Sequence, residues 1–196
     1  MSERKADHPV DPWFLERWSP RAFDGLPMPE ADLLTLFEAA RWAPSAFNSQ
    51  PWRFLYARRD EPDWERFLDL LVPFNRSWAQ SASVLVYILS DTLPFTDKAT
   101  GEPATSHTHS YDAGAAWVCF ALQATRMGYQ AHGMSGVDFD RAREVLGVPE
   151  RYRIEAAAVV GRIGDPAALP EKLRAREVPS GRKPLEEFAF PRRWPD

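Results

Sequence analysis

The chain contains one cysteine, Cys119, and four histidines in 196 residues. A lone cysteine cannot form an intramolecular disulfide, and the scattered histidines have no zinc-ligand spacing. Cys119 lies in an apolar stretch, where a thiol more often packs as a small hydrophobic group than reacts. The sequence therefore argues against a disulfide scaffold, a metal site and cysteine catalysis.

The chain also has no large excess of one charge sign and no long apolar run. Its net charge is −4 and its pI is about 5.6, which gives no electrostatic reason to expect nucleic acid as a partner. The first ten residues lack the apolar segment of a secretory signal. The alanine-rich stretch 111–127 is shorter than the roughly 20 apolar residues of a membrane span. We therefore expect a cytoplasmic protein that binds neither nucleic acid nor membrane.

Two common nucleotide-binding motifs are missing as well. No G-x-G-x-x-G follows a strand-like segment, and no G-x-x-x-x-G-K-[ST] occurs. Rossmann and P-loop sites are excluded, so any nucleotide must be held in another way.

The hydrophobic pattern predicts one domain spanning residues 1–196, with helices and strands interleaved. Helices are expected at 11–18, 29–42, 62–71, 111–127 and 138–146, and strands at 52–57, 84–89, 130–134 and 154–163. Asp11 is the expected N-cap of the first helix. The helix at 111–127 has almost no polar face, so it must be covered on all sides.

Two segments show neither helical nor strand periodicity. Residues 91–109 are expected to form a loop that lies over a site. His107 and His109 in this loop could face a substrate, although a solvated pair explains them better. The tail after Asp165 carries four prolines and is too polar and extended to hold itself together, so we expect it to wrap around a neighbouring subunit.

A short basic cluster, Arg17-x-Ser19-x-Arg21, ends the first predicted helix. Guanidinium groups suit a phosphate dianion, and a hydroxyl can complete its hydrogen-bond shell. Arg182 lies in a second basic cluster that also contains serine and glycine. When each cluster is taken alone, a solvated turn and a solvated tail are the better explanations.

The loop 44–52 (PSAFNSQPW) is bracketed by prolines and concentrates uncharged hydrogen-bonding groups at Ser45, Asn48 and Gln50. Amides both donate and accept, which fits the pyrimidine edge of a flavin. A helix cap followed by a turn would explain Ser45 and Asn48 but not the whole series. Flavin binding is therefore the preferred interpretation of this loop.

Two weaker candidates follow. Asn75 could offer another amide to a ligand, although an ordinary turn explains it as well. Ser135 and Gly136, between a strand and a helix, could present backbone N–H groups closely to a ligand because glycine has no side chain. No residue pattern marks a nucleophile, which agrees with chemistry carried by a cofactor.

Taken in order, these segments resemble the nitroreductase family. The resemblance rests on the Arg17 cluster, residues 38–54 (EAARWAPSAFNSQPWRF), the alanine-rich helix from about Asp112, residues 127–129 (MGY) and residues 158–164 (AVVGRIG). It covers nearly the whole chain, and residues 38–54 form its most specific part.

The resemblance implies an α+β fold with a mainly antiparallel central sheet flanked by helices, and a homodimer with two FMN sites at its interface. It also implies a role for each candidate residue. The resemblance implies that the phosphate and ribityl chain are bound by Arg17, Ser19, Arg21 and Arg182. It implies that the ring is contacted by Ser45, Asn48 and Gln50 of the other subunit. The ring and its N5 edge would also be contacted by Asn75, Ser135 and Gly136.

The implied reaction is ping-pong hydride transfer from NADPH or NADH, through flavin N5, to a small oxidant such as a nitroaromatic or a quinone. Many members have a lysine three residues after the Asn75 position, where this chain has Trp78; either Arg21 supplies that charge or the reduction potential differs. A flavin-dependent dehydrogenase or dehalogenase on the same fold, and a noncatalytic flavin-binding module, are the alternatives.

Overall fold

Strand β2 (Val84–Asp91) is buried along its whole length at the centre of an antiparallel sheet. The computed structural model describes residues 4–194. In this range the sheet has four strands in the order β1-β2-β6-β5, where β1 is Trp52–Arg58, β5 is Gln130–Met134 and β6 is Tyr152–Gly161. A separate hairpin pairs β3 (Phe95–Thr96) with β4 (Pro103–Ala104).

Seven α-helices surround this sheet in the described part of the chain. They are α1 (Trp13–Glu16), α2 (Glu30–Arg41), α3 (Trp64–Leu68), α4 (Pro73–Ala79), α5 (His109–Arg126), α6 (Phe139–Val145) and α7 (Glu171–Arg174). Short 3₁₀-helices occur at Ala46–Asn48, Pro166–Ala168 and Leu185–Glu187. The predicted α+β architecture, with an antiparallel sheet flanked by helices, is confirmed.

Alternate side chains of β2 face two separate hydrophobic clusters, because successive residues of a strand point to opposite faces. Val84, Val86 and Ile88 pack with α2 and α5. Leu85, Tyr87 and Leu89 pack on the other face with α3 and Trp78 of α4. Covering both faces explains why this strand is a continuous apolar run instead of an alternating one.

Helix α5 is covered on only part of its surface by this chain. Ala116, Phe120 and Ala124 are buried against the sheet and α2, whereas Tyr111 and Val118 are exposed. Complete coverage, which the composition led us to expect, is not provided within one copy. In the described range no helix is long and apolar enough to cross a membrane.

Two predicted helices are shorter than expected, and one helix was not predicted. Helix α1 is shorter than residues 11–18 and has Pro12 at its N-cap position, although Asp11 Oδ1 still accepts from Trp13 N at 3.3 Å. The helix expected at 62–71 is reduced to α3. The sequence analysis missed α4, in which Pro73 occupies the first turn, where its missing N–H costs nothing.

The tail after Asp165 departs from the expectation that it cannot hold itself together. Leu169 and Leu173 are buried in the hydrophobic cluster of their own chain, and Glu177 is buried beside Arg21. None of the residues 178–194 is buried. The segment 166–177 therefore belongs to the fold of this copy, and the wrapping of a partner is confined, as a prediction, to the residues that follow.

Candidate functional site

Five arginines line one cavity of about 410 Å³: Arg4, Arg17, Arg21, Arg176 and Arg182. Ser19, Ser180 and His132 add neutral hydrogen-bonding groups to the same wall. None of the residues lining the cavity, all within 4–194, carries a carboxylate. Such a donor set suits an anion with several oxygens, above all a phosphate.

The electrostatics of the cavity show how concentrated its positive charge is. Burial, followed by the charges of Arg182 and Arg4, lowers the pKa of Arg17. Burial, followed by the charge of Arg176, lowers the pKa of Arg21, and nearby Glu177 partly offsets this. A bound anion would relieve this repulsion, so the cavity is electrostatically prepared for a negatively charged ligand.

Buried polar groups fix the backbone that carries Arg17 and Ser19. Gln130 of β5 accepts from Trp18 N at 3.2 Å, and Arg4 donates to the carbonyls of Leu15 and Arg17 at 3.0 and 2.7 Å. Arg17 itself donates to Ser19 Oγ at 3.3 Å. Arg17 and Ser19 are thus carried by a segment that is fixed at the edge of the sheet.

Arg21 is held by Glu177, whose side chain is only 1% exposed. Glu177 Oε1 accepts from Arg21 N at 2.6 Å and Ala22 N at 2.8 Å, and its Oε2 lies 3.9 Å from an Arg21 guanidinium nitrogen. The guanidinium lies 5.8 Å from the ring centroid of Trp78. Arg21 is therefore fixed beside Trp78, between the tail and the cavity.

His132 is a cavity residue that the sequence analysis missed. Its Nδ1 lies 2.8 Å from the Pro20 carbonyl, which can only accept, so Nδ1 carries the proton and Nε2 is an acceptor. Its ring stacks on Trp78 with centroids 4.5 Å apart. Burial lowers the pKa of His132 to about 4; the bond to Pro20 opposes this shift, and the charges of Arg21 and Arg17 add to it.

This pKa predicts a pH dependence of folding. The unfolded chain binds a proton on His132 near its ordinary pKa of 6.5, whereas the folded chain does so only near 4, so stability is lost as pH falls through this window. Between pH 7 and pH 5 we expect the free energy of unfolding to fall by about 2 kcal/mol from this group.

Urea unfolding of the wild-type protein and of His132→Asn at both pH values measures this effect. The Asn amide can still donate to Pro20 but does not titrate, so the variant is expected to lose less stability than the wild type. Equal losses in the two proteins would contradict the assignment of a neutral, buried His132.

The loop 44–51 has an unusual backbone. Phe47, Asn48 and Gln50 have φ values of 50°, 54° and 47°, in the left-handed region that non-glycine residues rarely occupy. Ser45 Oγ accepts from Gln50 N at 3.0 Å and thereby closes the loop. Buried Asp112 of α5 accepts from Ala46 N at 3.2 Å. The loop is held in a strained form by its own side chains and by α5.

A third group joins α4 to the end of β5. Asn75 Nδ2 donates to the Gly136 carbonyl at 3.2 Å, and Val72 N donates to the same oxygen at 3.1 Å. A Cβ on Gly136 would overlap the Asn75 amide and lie 2.8 Å from Val72 Cγ2. Asn75 is therefore not in an ordinary turn; it lies in a helix and packs against the backbone beside Ser135.

The family model of the nitroreductase family matches residues 15–73 and 61–162, which include the Arg17 cluster, the loop 44–51 and β5.

This chain belongs to the nitroreductase family.

Two relatives and one solved structure illustrate the similarity. A Streptomyces coelicolor protein provisionally named NADH dehydrogenase/NAD(P)H nitroreductase is 32% identical over 178 residues, covering 80% of this chain and 83% of the relative. The NADH dehydrogenase of Thermus thermophilus is 28% identical, with 90% and 92% covered. A crystal structure described as an oxidoreductase containing FMN is 50% identical, with a TM-score of 0.94 and 98% and 96% covered.

Within one copy, this nitroreductase-family chain brings the predicted site residues together in three groups. Arg17, Ser19, Arg21 and Arg182 share the arginine cavity. Asn75 contacts Gly136. Trp78 lies one turn further along α4 and contacts His132, which lines the arginine cavity. Ser45, Asn48 and Gln50 share the loop 44–51, which does not line the arginine cavity of its own chain.

The structure also places the two loop histidines differently from a solvated pair. His107 is exposed, but His109 begins α5, and its Nδ1 lies 2.7 Å from Ser90 Oγ. Ser90 also donates to Glu155 at 2.5 Å. His109 is thus part of a polar network at the end of β2. Ser90, His109 and Glu155 are far apart in the sequence, so no local pattern could predict this network.

Proposed function

We propose that this chain is an FMN-dependent oxidoreductase that takes electrons from NADPH or NADH and works as a homodimer. The observation that carries the proposal is the arginine cavity, which gathers five guanidinium groups around a space lined by no carboxylate. The similarity to a 50% identical oxidoreductase containing FMN supports the same ligand.

The residues that line the cavity fit the phosphate group of FMN. Arg17, Ser19 and Arg182 would bind the phosphate, since they offer guanidinium and hydroxyl donors side by side. Arg21 Nε is buried without a hydrogen-bond partner in the described structure. An unsatisfied buried donor of this kind is costly unless a ligand satisfies it.

The flavin ring would be bound by the Asn75–Gly136 region and by the loop 44–51. Asn75 contacts Gly136 just after the end of β5. Trp78, in the same helix as Asn75, contacts His132, which lines the arginine cavity. Arg21, fixed beside Trp78, would supply the positive charge that many relatives obtain from a lysine at this position. A fixed cation stabilises negative charge that develops on a ring during reduction.

The loop 44–51 would reach the ring from a second copy. In its own chain it is separate from the arginine cavity, and its Phe47 is 94% exposed. The exposed side chains of α5, Tyr111 and Val118, offer an apolar contact surface for such a copy. The tail beyond Glu177, with exposed Leu185, Phe188 and Trp194, would wrap around that copy.

The chemistry that FMN supplies is the transfer of a hydride equivalent from NADPH or NADH to a second small molecule, such as a nitroaromatic or a quinone, in two half-reactions. The chain's own contribution is to bind the phosphate, orient the ring and place Arg21 and polar backbone groups around it. No side chain is required as a nucleophile.

An absorption spectrum tests this function. The purified protein is incubated with FMN, desalted, and then treated without oxygen with NADPH, with NADH, and finally with the quinone menadione. We expect retained flavin whose visible absorption is lost with one donor and restored by the quinone. Retained flavin that neither donor reduces would contradict the reductase and favour a different flavin chemistry; a protein without flavin would overturn the proposal.

A further inference from the structure

Most polar side chains that line the arginine cavity offer hydrogen-bond donors. Its five guanidinium groups and the indole of Trp18 have no lone pair to offer. The two serine oxygens already accept from arginines: Ser19 Oγ accepts from Arg17 at 3.3 Å. Ser180 Oγ accepts from Arg182 at the same distance of 3.3 Å. Their hydroxyl hydrogens are left for a ligand oxygen, so the set suits a phosphate dianion, which only accepts.

His132 Nε2 is the exception among these side chains. Because Nδ1 donates to the Pro20 carbonyl at 2.8 Å, Nε2 carries a lone pair and no proton. Burial lowers the pKa of His132 to about 4, so the ring stays neutral at neutral pH. In the described part of the chain Nε2 has no hydrogen-bond partner, and it is not one of the polar atoms sealed from solvent there. Since the ring lines the cavity, this acceptor is available to a ligand.

The ring of His132 is held in this orientation by two contacts. The bond to Pro20 fixes Nδ1, and the ring lies against Trp78 with centroids 4.5 Å apart. Trp78 is only 2% exposed and packs in a hydrophobic cluster of the core. Turning the ring to exchange its two nitrogens would break the bond to Pro20. The lone pair of Nε2 is therefore already in place before a ligand binds, which reduces the entropic cost of binding.

We propose that His132 Nε2 accepts a hydrogen bond from a hydroxyl group of the ligand, so that the cavity selects a polyol phosphate over a phosphate ester without hydroxyl groups. The inference rests on the proposed function, because FMN carries its phosphate on a ribityl chain that bears hydroxyl groups. An alkyl chain in the same place would leave Nε2 without water and without a donor, which costs free energy. His132 is thus a specificity-determining residue beside the phosphate-binding arginines.

An FMN analogue with a pentyl phosphate side chain is the matched probe, because it keeps the ring and the phosphate but has no hydroxyl group. Titration of flavin fluorescence with apoprotein measures both affinities. We expect the wild-type protein to prefer FMN. His132→Asn keeps a donor for Pro20 but has no acceptor at the position of Nε2, and it is expected to reduce the preference about three- to tenfold.

Two further variants complete the comparison. His132→Gln places an amide oxygen near the position of Nε2 and is expected to keep more of the preference than His132→Asn. His8→Asn removes an exposed histidine that does not line the cavity, and it should keep the full preference.

NMR of ¹⁵N-labelled wild-type protein tests the same bond without a substitution. An unprotonated imidazole nitrogen shifts upfield when it accepts a hydrogen bond, and the His132 resonance is identified by its absence from His132→Asn. We expect FMN to shift the Nε2 resonance upfield. The pentyl phosphate analogue brings the same ring and phosphate to the site and is expected to leave this resonance nearly unchanged.

The outcomes separate this inference from the proposed function. If the wild type binds both flavins equally well, or if both shift Nε2 alike, His132 does not accept from a ligand hydroxyl group and the oxidoreductase proposal stands. The same conclusion follows if His132→Asn keeps the wild-type preference. Failure of the wild type to bind FMN would instead overturn the proposed function.

Discussion

Replacing Arg17 with alanine is expected to weaken FMN binding by about 10- to 100-fold, because a charge-assisted hydrogen bond contributes roughly 1.5–3 kcal/mol. Arg17 is the cavity arginine held closest to Ser19, and its backbone is pinned by Arg4 and Gln130. The substitution removes the guanidinium and leaves these backbone contacts in place. Titration of flavin fluorescence with apoprotein measures the change.

Riboflavin provides the internal control, because it shares the ring and ribityl chain with FMN but lacks the phosphate. Arg17→Ala is expected to change riboflavin affinity less than about threefold. Arg153→Ala, which removes an exposed guanidinium outside the cavity, should leave both affinities unchanged. A parallel loss for FMN and riboflavin would show that Arg17 does not bind the phosphate.

Replacing Glu177 with alanine is expected to lower the free energy of unfolding by about 3 kcal/mol, since each buried N–H left without an acceptor costs about 1–3 kcal/mol. The variant leaves Arg21 N and Ala22 N without their acceptor and removes the ion-pair partner of Arg21. It also removes the contacts between Glu177 of the tail and the segment that carries Arg17, Ser19 and Arg21. Urea unfolding at a single protein concentration, without flavin, measures the loss.

Two further variants define the origin of this effect. Glu177→Gln keeps a side-chain acceptor and is expected to lose less stability than Glu177→Ala. Glu171→Ala removes an exposed carboxylate in α7 and should change stability by less than about 0.5 kcal/mol. If Glu177→Ala is as stable as Glu171→Ala, the buried carboxylate does not anchor the tail.

The sequence was most informative where chemistry is concentrated in a short segment. Residues 38–54 combine a helix end, two prolines and a series of amides, so both the loop and its strand β1 could be predicted. The apolar runs at β2 and β6 also predicted these two strands, because strands covered on both faces need apolar residues throughout. That the whole chain forms one nitroreductase-like domain stays a prediction.

The sequence was least informative where distant segments meet. The arginine cavity joins Arg4, the Arg17 cluster, His132 and the tail, which are separated by up to 178 positions in the chain. Nothing local distinguishes Arg4 or Glu177 from a solvated charge. The presence of His132 in strand β5 was the one available signal, and it became interpretable only when its ring contact with Trp78 was known.

Local pattern also failed where a helix begins with a proline. An ordinary turn explained Asn75 as well as a ligand did, although Pro73 is well suited to the first turn of a helix. The tail was misjudged for a related reason. Its prolines obscured Leu169 and Leu173, which bury their side chains in the core of the same chain.

We expect one flavin site to be built from the arginine cavity of one copy and the loop 44–51 of another. The FMN content of heterodimers of Arg17→Ala and Asn48→Ala, isolated with two different affinity tags, tests this arrangement. Each variant alone is expected to retain little FMN. In the heterodimer, however, one site combines an intact Arg17 with an intact Asn48, so we expect one FMN per dimer. Heterodimers that retain no more FMN than the two variant homodimers would show that the site is not shared between two copies.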